Sequence, residues 1–181
     1  VDLVTSNYEK IDPSLVDTDD IIGGYDSENN RYEGLELINQ CYSVFRKVPT
    51  MLLAPKFGED SAVAAVLETK ASKINTVFSA MAIVDIPESI IKYSEVPNIK
   101  NLNNLVSENL IVCWPKVKLG DYIYRLSTQL AGLMVSTDYD NNNVPKESPS
   151  NKNLKIDGMV TGTKAENVAV NLDLDQANYL N

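Results

Sequence analysis

Three short apolar runs that each end at a proline constrain the fold most: TMLLAP (50–55), SAMAIVDIP (79–87) and NLIVCWP (109–115). Continuous apolar runs of this length, bounded by turn residues, are typical of buried strands. Between the first two, Asp60 offers an N-cap for an amphipathic helix whose apolar face would hold Val63, Val66, Leu67, Ala71 and Ile74. Strand, helix and strand at this spacing predict a βαβ unit with parallel strands and a right-handed crossover.

Two more helices are expected to cover the sheet. One begins at Glu33 and ends before Pro49, with Leu35, Ile38, Cys41, Tyr42 and Phe45 on one face. The other begins at Asp121 and carries Ile123, Leu126, Leu130, Leu133 and Met134, with Gly132 as its weak position. The sequence therefore predicts the α/β class: a layered domain with a mixed or mainly parallel central sheet flanked by helices.

The rest of the chain divides at residue 32. Residues 1–32 predict an acidic arm or loop in which Ile21 and Ile22 form a short strand, and residues 33–181 predict the α/β core domain. Within the core, residues 88–108 predict a loop with one short helix, and 136–151 a cluster of turns. A more exposed strand is expected from Leu154 to Val160, and a short helix at the end of the chain.

Composition excludes several classes of protein. A net charge of −9 argues against a nucleic-acid partner, which requires a basic surface. No run reaches the about 18 apolar residues that a membrane-spanning helix needs, and no basic segment followed by an apolar run opens the chain. Cys41 and Cys113 lie in apolar runs, which predicts two buried free thiols in a reducing compartment.

The absence of histidine removes the commonest general base, the usual partner of a nucleophile and the commonest metal ligand. Gly23-Gly24 and the pair Gly158 and Gly162 do not match a dinucleotide or phosphate-binding loop. We therefore predict no catalytic, cofactor-binding or metal-binding residues.

Three groups of carboxylates are candidate site residues. Asp85 ends an apolar strand, where open α/β sheets present ligand groups, although a capping role before Pro87 is the simpler interpretation. The run DYDNNN has the alternating spacing of a calcium loop in Asp138, Asp140 and Asn142, but Asn143 and Pro149 replace the required Gly and Glu. The loop carboxylates Asp17, Asp19 and Asp20 are expected to be solvated.

Trp114-Pro115 and the run SPSN suggest structural roles. Trp114 is expected to close a strand and fill the core, with a role as an interface anchor as the alternative. Ser148 and Asn151 are expected to hydrogen-bond the backbone in a turn that leads into the strand at Ile156, Gly158 and Val160.

Read in order, LLAP, AIVDIP, LIVCWP, STQLAGLMVSTD and ESPSNKNLKIDGMVTG resemble the landmarks of contractile phage tail sheath proteins, a family that includes the sheaths of prophage and phage-tail-like bacteriocin particles. The matching positions are Ala54-Pro55, Asp85 with Pro87, Trp114-Pro115, Ala131-Gly132, Asp138, Ser148–Asn151, Ile156, Gly158 and Val160. The resemblance covers about residues 33–181 in the expected order.

This resemblance implies a structural, non-enzymatic subunit without cofactors. Such a subunit polymerises around an inner tube, works with baseplate and terminator proteins, and contracts to drive the tube through a cell envelope. It implies location in a virion or phage-tail-like particle, with assembly in the bacterial cytoplasm. The chain is expected to be the central part of a sheath protein that lacks its terminal arms and C-terminal domain, to be monomeric alone, and not to bind membranes.

Two other hypotheses stay open. One is a small metal- or carboxylate-dependent α/β enzyme that uses Asp85 with Asp138, or with the carboxylates of residues 17–20, and has a pocket at the carboxyl ends of the strands. The other is an acidic adaptor module, which an exposed apolar patch would favour.

Overall fold

The computed structural model describes residues 11–163 and 166–180. The helices are α1 (Thr18–Ile22), α2 (Cys41–Phe45), α3 (Ser61–Ser72), α4 (Val96–Leu102), α5 (Leu126–Asp140) and α6 (Leu174–Leu180), with 3₁₀ segments at Pro13–Leu15, Gly34–Gln40, Phe57–Glu59 and Tyr93–Glu95. The strands are β1 (Gly24–Asp26), β2 (Arg31–Glu33), β3 (Met51–Leu52), β4 (Met81–Asp85), β5 (Leu110–Cys113), β6 (Lys116–Leu119), β7 (Tyr122–Tyr124), β8 (Gly158–Thr161) and β9 (Val168–Val170).

A parallel sheet of three strands in the order β3-β4-β5 forms the centre and confirms the α/β class. Helix α3 connects β3 to β4, as the βαβ pattern predicts. Asp60 caps α3 by accepting hydrogen bonds from the amides of Ala62 (2.9 Å) and Val63 (3.3 Å). The main core lies between α3 and this sheet, where Val63, Leu67, Ala71, Ile74, Ala82 and Val84 are almost fully buried.

The predicted helix start at Asp121 is wrong, because residues 116–124 form the antiparallel hairpin of β6 and β7. In the run KVKLGDYIY, lysines alternate with apolar residues before Gly-Asp, and tyrosines alternate with isoleucine after it. Alternation on both sides of a two-residue Gly-Asp turn is a hairpin pattern. Gly120, with φ +60°, takes the position that a type II′ turn reserves for glycine. Helix α5 therefore begins at Leu126 instead.

The strand predicted at 154–160 is shorter and lies in a different sheet. It covers Gly158–Thr161 and belongs to a second, antiparallel sheet in the order β7-β6-β8-β9. The turn before it follows the prediction in part: Ser148 Oγ accepts from the Ser150 amide at 3.1 Å. Asn151 has a left-handed φ of 62° instead of the expected side-chain hydrogen bond, of which the described residues show none.

Residues 1–10 of the predicted acidic arm lie outside the described residues, and residues 11–33 are more structured than an arm. Ile21 and Ile22 end helix α1 rather than forming a strand, because Asp17 and Asp20 form a capping box that starts a helix there. Both isoleucines pack against the core. Strands β1 and β2 follow as a hairpin. The domain boundary at residue 32 stays a prediction.

The helix predicted from Glu33 is mostly 3₁₀ and is shorter than expected. It runs as Gly34–Gln40 and then α2, and it ends at Arg46, whose φ is +55°. Only the first part of the predicted apolar face reaches the core: Leu35 and Ile38 pack there, whereas Tyr42 and Phe45 are exposed.

Two further helix predictions are confirmed: residues 88–108 hold α4, and residues 174–180 form α6. The turn cluster predicted at 136–151 begins later, because α5 continues to Asp140. Both thiols are free; Cys113 is buried as predicted, whereas Cys41 is only half-buried. Within the described residues no helix is both long and apolar enough to cross a bilayer.

Gly23→Ala should destabilise the packing of the β1–β2 hairpin, because Gly23 has φ +67° and an added Cβ would lie 2.0 Å from the carbonyl oxygen of Glu33. We expect a loss of about 1–3 kcal/mol in the free energy of unfolding, measured by urea denaturation. Gly24→Ala is the matched control, since its Cβ would meet nothing within 4 Å. Equal losses for the two variants would contradict this account of the hairpin.

Candidate functional site

Four charged side chains meet at the carboxyl edge of the parallel sheet. Glu59 lies in the 3₁₀ segment after β3, Glu88 follows β4, Lys116 begins β6, and Arg125 joins β7 to α5. We call these four residues the polar clamp. Glu59 and Glu88 follow strands of the parallel sheet, whereas Lys116 lies in the antiparallel sheet and Arg125 directly follows its strand β7. The polar clamp therefore lies where the two sheets meet.

The polar clamp is held by ion pairs that share atoms. One guanidinium nitrogen of Arg125, Nη2, contacts Glu59 closely and lies 3.2 Å from Glu88 Oε2. The same Glu88 oxygen lies 3.1 Å from Lys116 Nζ, which also donates a 2.5 Å hydrogen bond to the carbonyl of Gly162. The Glu88 amide donates to Glu59 Oε2 at 2.8 Å. A chain of contacts therefore links the two sheets.

Burial distinguishes these contacts from ion pairs on an open surface. The side chains of Arg125, Glu59 and Lys116 are 15%, 13% and 9% exposed. Arg125 Nη1 is buried and has no hydrogen-bond partner among the described residues. The attraction between shielded charges is stronger, but the cost of removing them from water offsets it. Removing one partner is therefore the costly change, because it leaves the other charge buried and uncompensated.

The two carboxylates of the clamp shift in opposite directions. Burial raises the pKa of Glu59 above its ordinary value, assisted by the negative charges of Glu88 and Asp85 and opposed by the Glu88 amide and Arg125. Burial also acts to raise the pKa of Glu88, but the hydrogen bond and charge of Lys116, together with Arg125, outweigh it and lower this pKa.

Asp85, the strongest sequence candidate for a site residue, serves as a cap for α5. It ends β4, is 6% exposed, and accepts hydrogen bonds from the Ser127 amide at 3.0 Å and from the Ser127 hydroxyl. Burial raises its pKa, while the bonds from Ser127 and the charge of Arg125 oppose the shift. The capping interpretation is right in kind, but the capped segment is α5 rather than the turn before Pro87.

A cleft of about 800 Å³ opens beside the polar clamp. Its walls are Pro55 and Lys56 on one side, the β7 strand on the other, and the first turn of α5 at Thr128. Glu88, Lys116 and Arg125 form part of its lining, whereas Asp85 does not line it. A pocket at the carboxyl ends of the strands is what the enzyme hypothesis predicts, but its main candidate residue is not part of the lining.

The other carboxylates are not brought together with Asp85. Asp17 caps α1, where its side chain accepts hydrogen bonds from the amides of Asp19 and Asp20. Asp138 and Asp140 lie in the last turn of α5, about 17 Å along the helix from Ser127, the contact of Asp85. Within the part of the chain that the structure describes, no group of three or more Cys, Asp or Glu side chains is placed to hold a metal ion.

Trp114 packs against the core, as predicted, and helps to join the two sheets. Its Nε1 donates to the carbonyl of Ile90 at 3.0 Å, and the Thr161 hydroxyl of β8 donates to the same oxygen at 2.8 Å. The neighbouring Cys113 is a poor nucleophile, since burial, with a smaller effect of the Asp85 charge, raises the pKa of its thiol to about 12.

Sequence reasoning missed Glu59, Glu88, Lys116 and Arg125 as a group. No local signal marked them: in the run KVKL, Lys116 alternates with Val117 and shares a strand face with Lys118, which predicts an exposed lysine, whereas Lys116 is 8% exposed in the fold. Buried lysines require carboxylate partners. Which carboxylates these are depends on long-range packing.

No protein-family model matches the chain, and no curated protein sequence matches it. The sheath resemblance therefore depends on the residues quoted above.

Asp85→Asn should change how stability depends on pH. The folded-state pKa of Asp85 is raised, so the stability contributed by its neutral form is lost as pH rises through that pKa. Asn resembles the neutral carboxyl and does not ionise. We expect the free energy of unfolding of the variant, relative to the unmodified protein, to increase between about pH 4 and about pH 7 in urea titrations.

Glu88→Gln is the opposite case for this experiment. The lowered pKa of Glu88 means that its stabilising contribution is lost as pH falls, so this variant should lose most relative to the unmodified protein at the higher pH. The difference in unfolding free energy from the unmodified protein should rise with pH for Asp85→Asn and fall with pH for Glu88→Gln. If both differences change in the same direction, the assigned pKa shifts are contradicted.

Arg125→Ala should be strongly destabilising, because it leaves Glu59 buried without its cation. We expect a loss of about 3 kcal/mol in the free energy of unfolding by urea denaturation. Arg31→Ala is the control, since Arg31 is 64% exposed while pairing with Glu33 and should lose only about 0–1 kcal/mol. A loss for Arg125→Ala as small as that of the control would show that the polar clamp does not stabilise the fold.

Proposed function

We propose that this chain is the α/β core of a structural subunit of a contractile tail sheath. The observation that carries the proposal is where the landmarks of the resemblance lie in the fold. Ala54-Pro55 follows β3, Asp85 ends β4, and Trp114-Pro115 follows β5, so they mark the same edge of three adjacent parallel strands. The later landmarks lie in α5 and β8.

The roles of these residues also support a framework protein. Asp85 is buried and caps α5, and Trp114 packs on the core while bonding Ile90. Gly158 and Val160 belong to β8, which pairs with β6 in register. Among these residues, Trp114 lies at the junction of the two sheets and Gly158 and Val160 lie in the second sheet, while Asp85 fixes α5 beside the parallel sheet.

A sheath subunit needs a stiff body and surfaces that neighbours can contact, because contraction works through rigid-body rotation of subunits. Contacts that cross between the two sheets favour movement as one body. Two pairs of exposed tyrosines lie outside the core: the ring centroids of Tyr25 and Tyr32 are 5.1 Å apart, and those of Tyr122 and Tyr124 are 6.4 Å apart. Tyrosine is enriched where proteins contact one another.

The test is assembly of the full-length protein that contains this sequence. Expressed with the inner tube protein of its particle and viewed by negative-stain electron microscopy, it should form hollow sheaths around tubes. The 181-residue chain alone should stay monomeric. If the full-length protein forms neither sheaths nor tubes of its own in the presence of the tube protein, the proposal is wrong.

A second candidate function, a small metal- or carboxylate-dependent α/β enzyme, is favoured by one observation: the cleft of about 800 Å³ at the carboxyl edge of the sheet. This hypothesis predicts that Mg²⁺ or Mn²⁺ raises the melting temperature, as any ligand of the folded state does. The sheath proposal predicts no shift beyond that given by the same ionic strength of NaCl. A specific shift that Glu88→Gln abolishes would favour the enzyme.

A further inference from the structure

We propose that the cleft beside β7 is a docking site for a second copy of this chain, which inserts its acidic hairpin unit, defined as residues 17–33. The inference rests on the proposed function, because it names the partner surface for subunits that assemble in a lattice. It concerns a contact between the N-terminal acidic region of one copy and the α/β core of the next.

The strand that borders the cleft, β7, has an edge that pairs with no other strand among the described residues. It is the outer strand of the antiparallel sheet. In a hairpin with a two-residue loop, Leu119 and Tyr122 form the hydrogen-bonded pair nearest the turn. The N–H and C=O of Ile123 therefore point away from β6, toward the free edge.

The same edge carries exposed aromatic and basic side chains. Tyr122 is 70% exposed and Tyr124 39% exposed. Lys56, on the facing wall, is exposed, and so is Lys118, which lies on the next strand, β6, opposite Ile123 and outside the cleft lining. Neither lysine forms an ion pair with any described residue. The carboxylate of Glu88 in this cleft is already held by Lys116 and Arg125, so Asp121 at the turn is the exposed acid that an incoming chain would meet.

The acidic hairpin unit has the complementary properties. It contains six carboxylates and one cation, Arg31, which already pairs with Asp26 and Glu33. Its two-stranded sheet has open outer edges among the described residues. Tyr25 and Tyr32 are 54% and 42% exposed. Complementary charge steers such surfaces together, and paired tyrosines supply contact area.

The two surfaces lie at opposite ends of α3, which matters for assembly. The cleft is next to residues 55–59, just before α3 begins. The 3₁₀ segment that supports the hairpin is fixed at the other end of α3, where Glu36 pairs with Lys70 and the Asn39 carbonyl accepts from Asn75. α3 has 12 residues, so these ends are about 18 Å apart.

Surfaces at opposite ends give a contact between unlike patches. A copy that uses its hairpin on one neighbour keeps its own cleft free for the next. Where the terminal arms implied by the sheath resemblance already hold neighbouring copies together, such head-to-tail contacts propagate into rings or open helices instead of closing as a symmetric dimer. This is the geometry that a helical lattice requires. The contact by itself is too weak to hold the 181-residue chain in an oligomer.

The test uses zero-length carbodiimide cross-linking of full-length protein assembled from a mixture of ¹⁴N- and ¹⁵N-labelled copies. Mass spectrometry should detect links of mixed isotope between Lys56 or Lys118 and the carboxylates of residues 17–33. Lys56→Glu with Lys118→Glu should slow assembly at least tenfold at low salt, and adding Asp19→Lys with Asp20→Lys should restore it. Lys47→Glu with Lys146→Glu, the same total charge change on two exposed lysines outside the cleft and the acidic hairpin unit, should have no effect.

The outcomes separate this inference from the proposed function. If sheaths form but mixed links are absent, or if Lys56→Glu with Lys118→Glu assembles as fast as Lys47→Glu with Lys146→Glu, the docking site is wrong and the sheath assignment stands. If the unmodified protein forms no sheaths, the sheath assignment fails. If the unassembled copies then also show no cross-links of mixed isotope, the docking site is overturned as well. Circular dichroism of each variant checks that the fold is kept.

Discussion

The structure depends on how it joins two sheets whose strands do not pair with each other. The parallel sheet β3-β4-β5 and the antiparallel sheet β7-β6-β8-β9 share no hydrogen-bonded ladder. They meet at the polar clamp, at the Asp85 cap of α5, and at the Ile90 carbonyl that accepts from both Trp114 and Thr161. Buried charges are costly unless they are paired, so each partner in this junction requires the others to stay in place.

Local periodicity predicted the elements whose contacts lie near one another in sequence. The βαβ unit, the Asp60 cap and the β5 strand follow from apolar runs and one capping residue, because their packing involves a single sheet face. The β6–β7 hairpin was missed because Ile123 and Leu126 fit a helical spacing as well as the alternation of a strand. The split into two sheets could not be predicted, since β6 pairs with β8 some forty residues later, as Lys116 with Val160 shows.

In the candidate site, too, the residue marked by local sequence was predicted, and the residues that depend on long-range contacts were not. Asp85 was identified from its place at a strand end, and its buried capping role was one of the two interpretations that its position allows. Arg125 was not identified, because it lies between two elements and its partners Glu59 and Glu88 come from separate loops. The proposed sheath function accounts for this arrangement: interactions concentrated at one edge make a body that can rotate without deforming, while tyrosines and unpaired lysines remain at the surface.

Native-state hydrogen exchange tests most directly whether the two sheets form one body. The amides of β4 and β5 and those of β6 and β8 should show the same opening free energy in unmodified protein, and their sensitivity to urea should merge into one global unfolding. In Arg125→Ala, β6 and β8 should exchange faster than β4 and β5. If the antiparallel sheet already opens independently in the unmodified protein, the polar clamp does not unite the sheets and a rigid, force-transmitting core is contradicted.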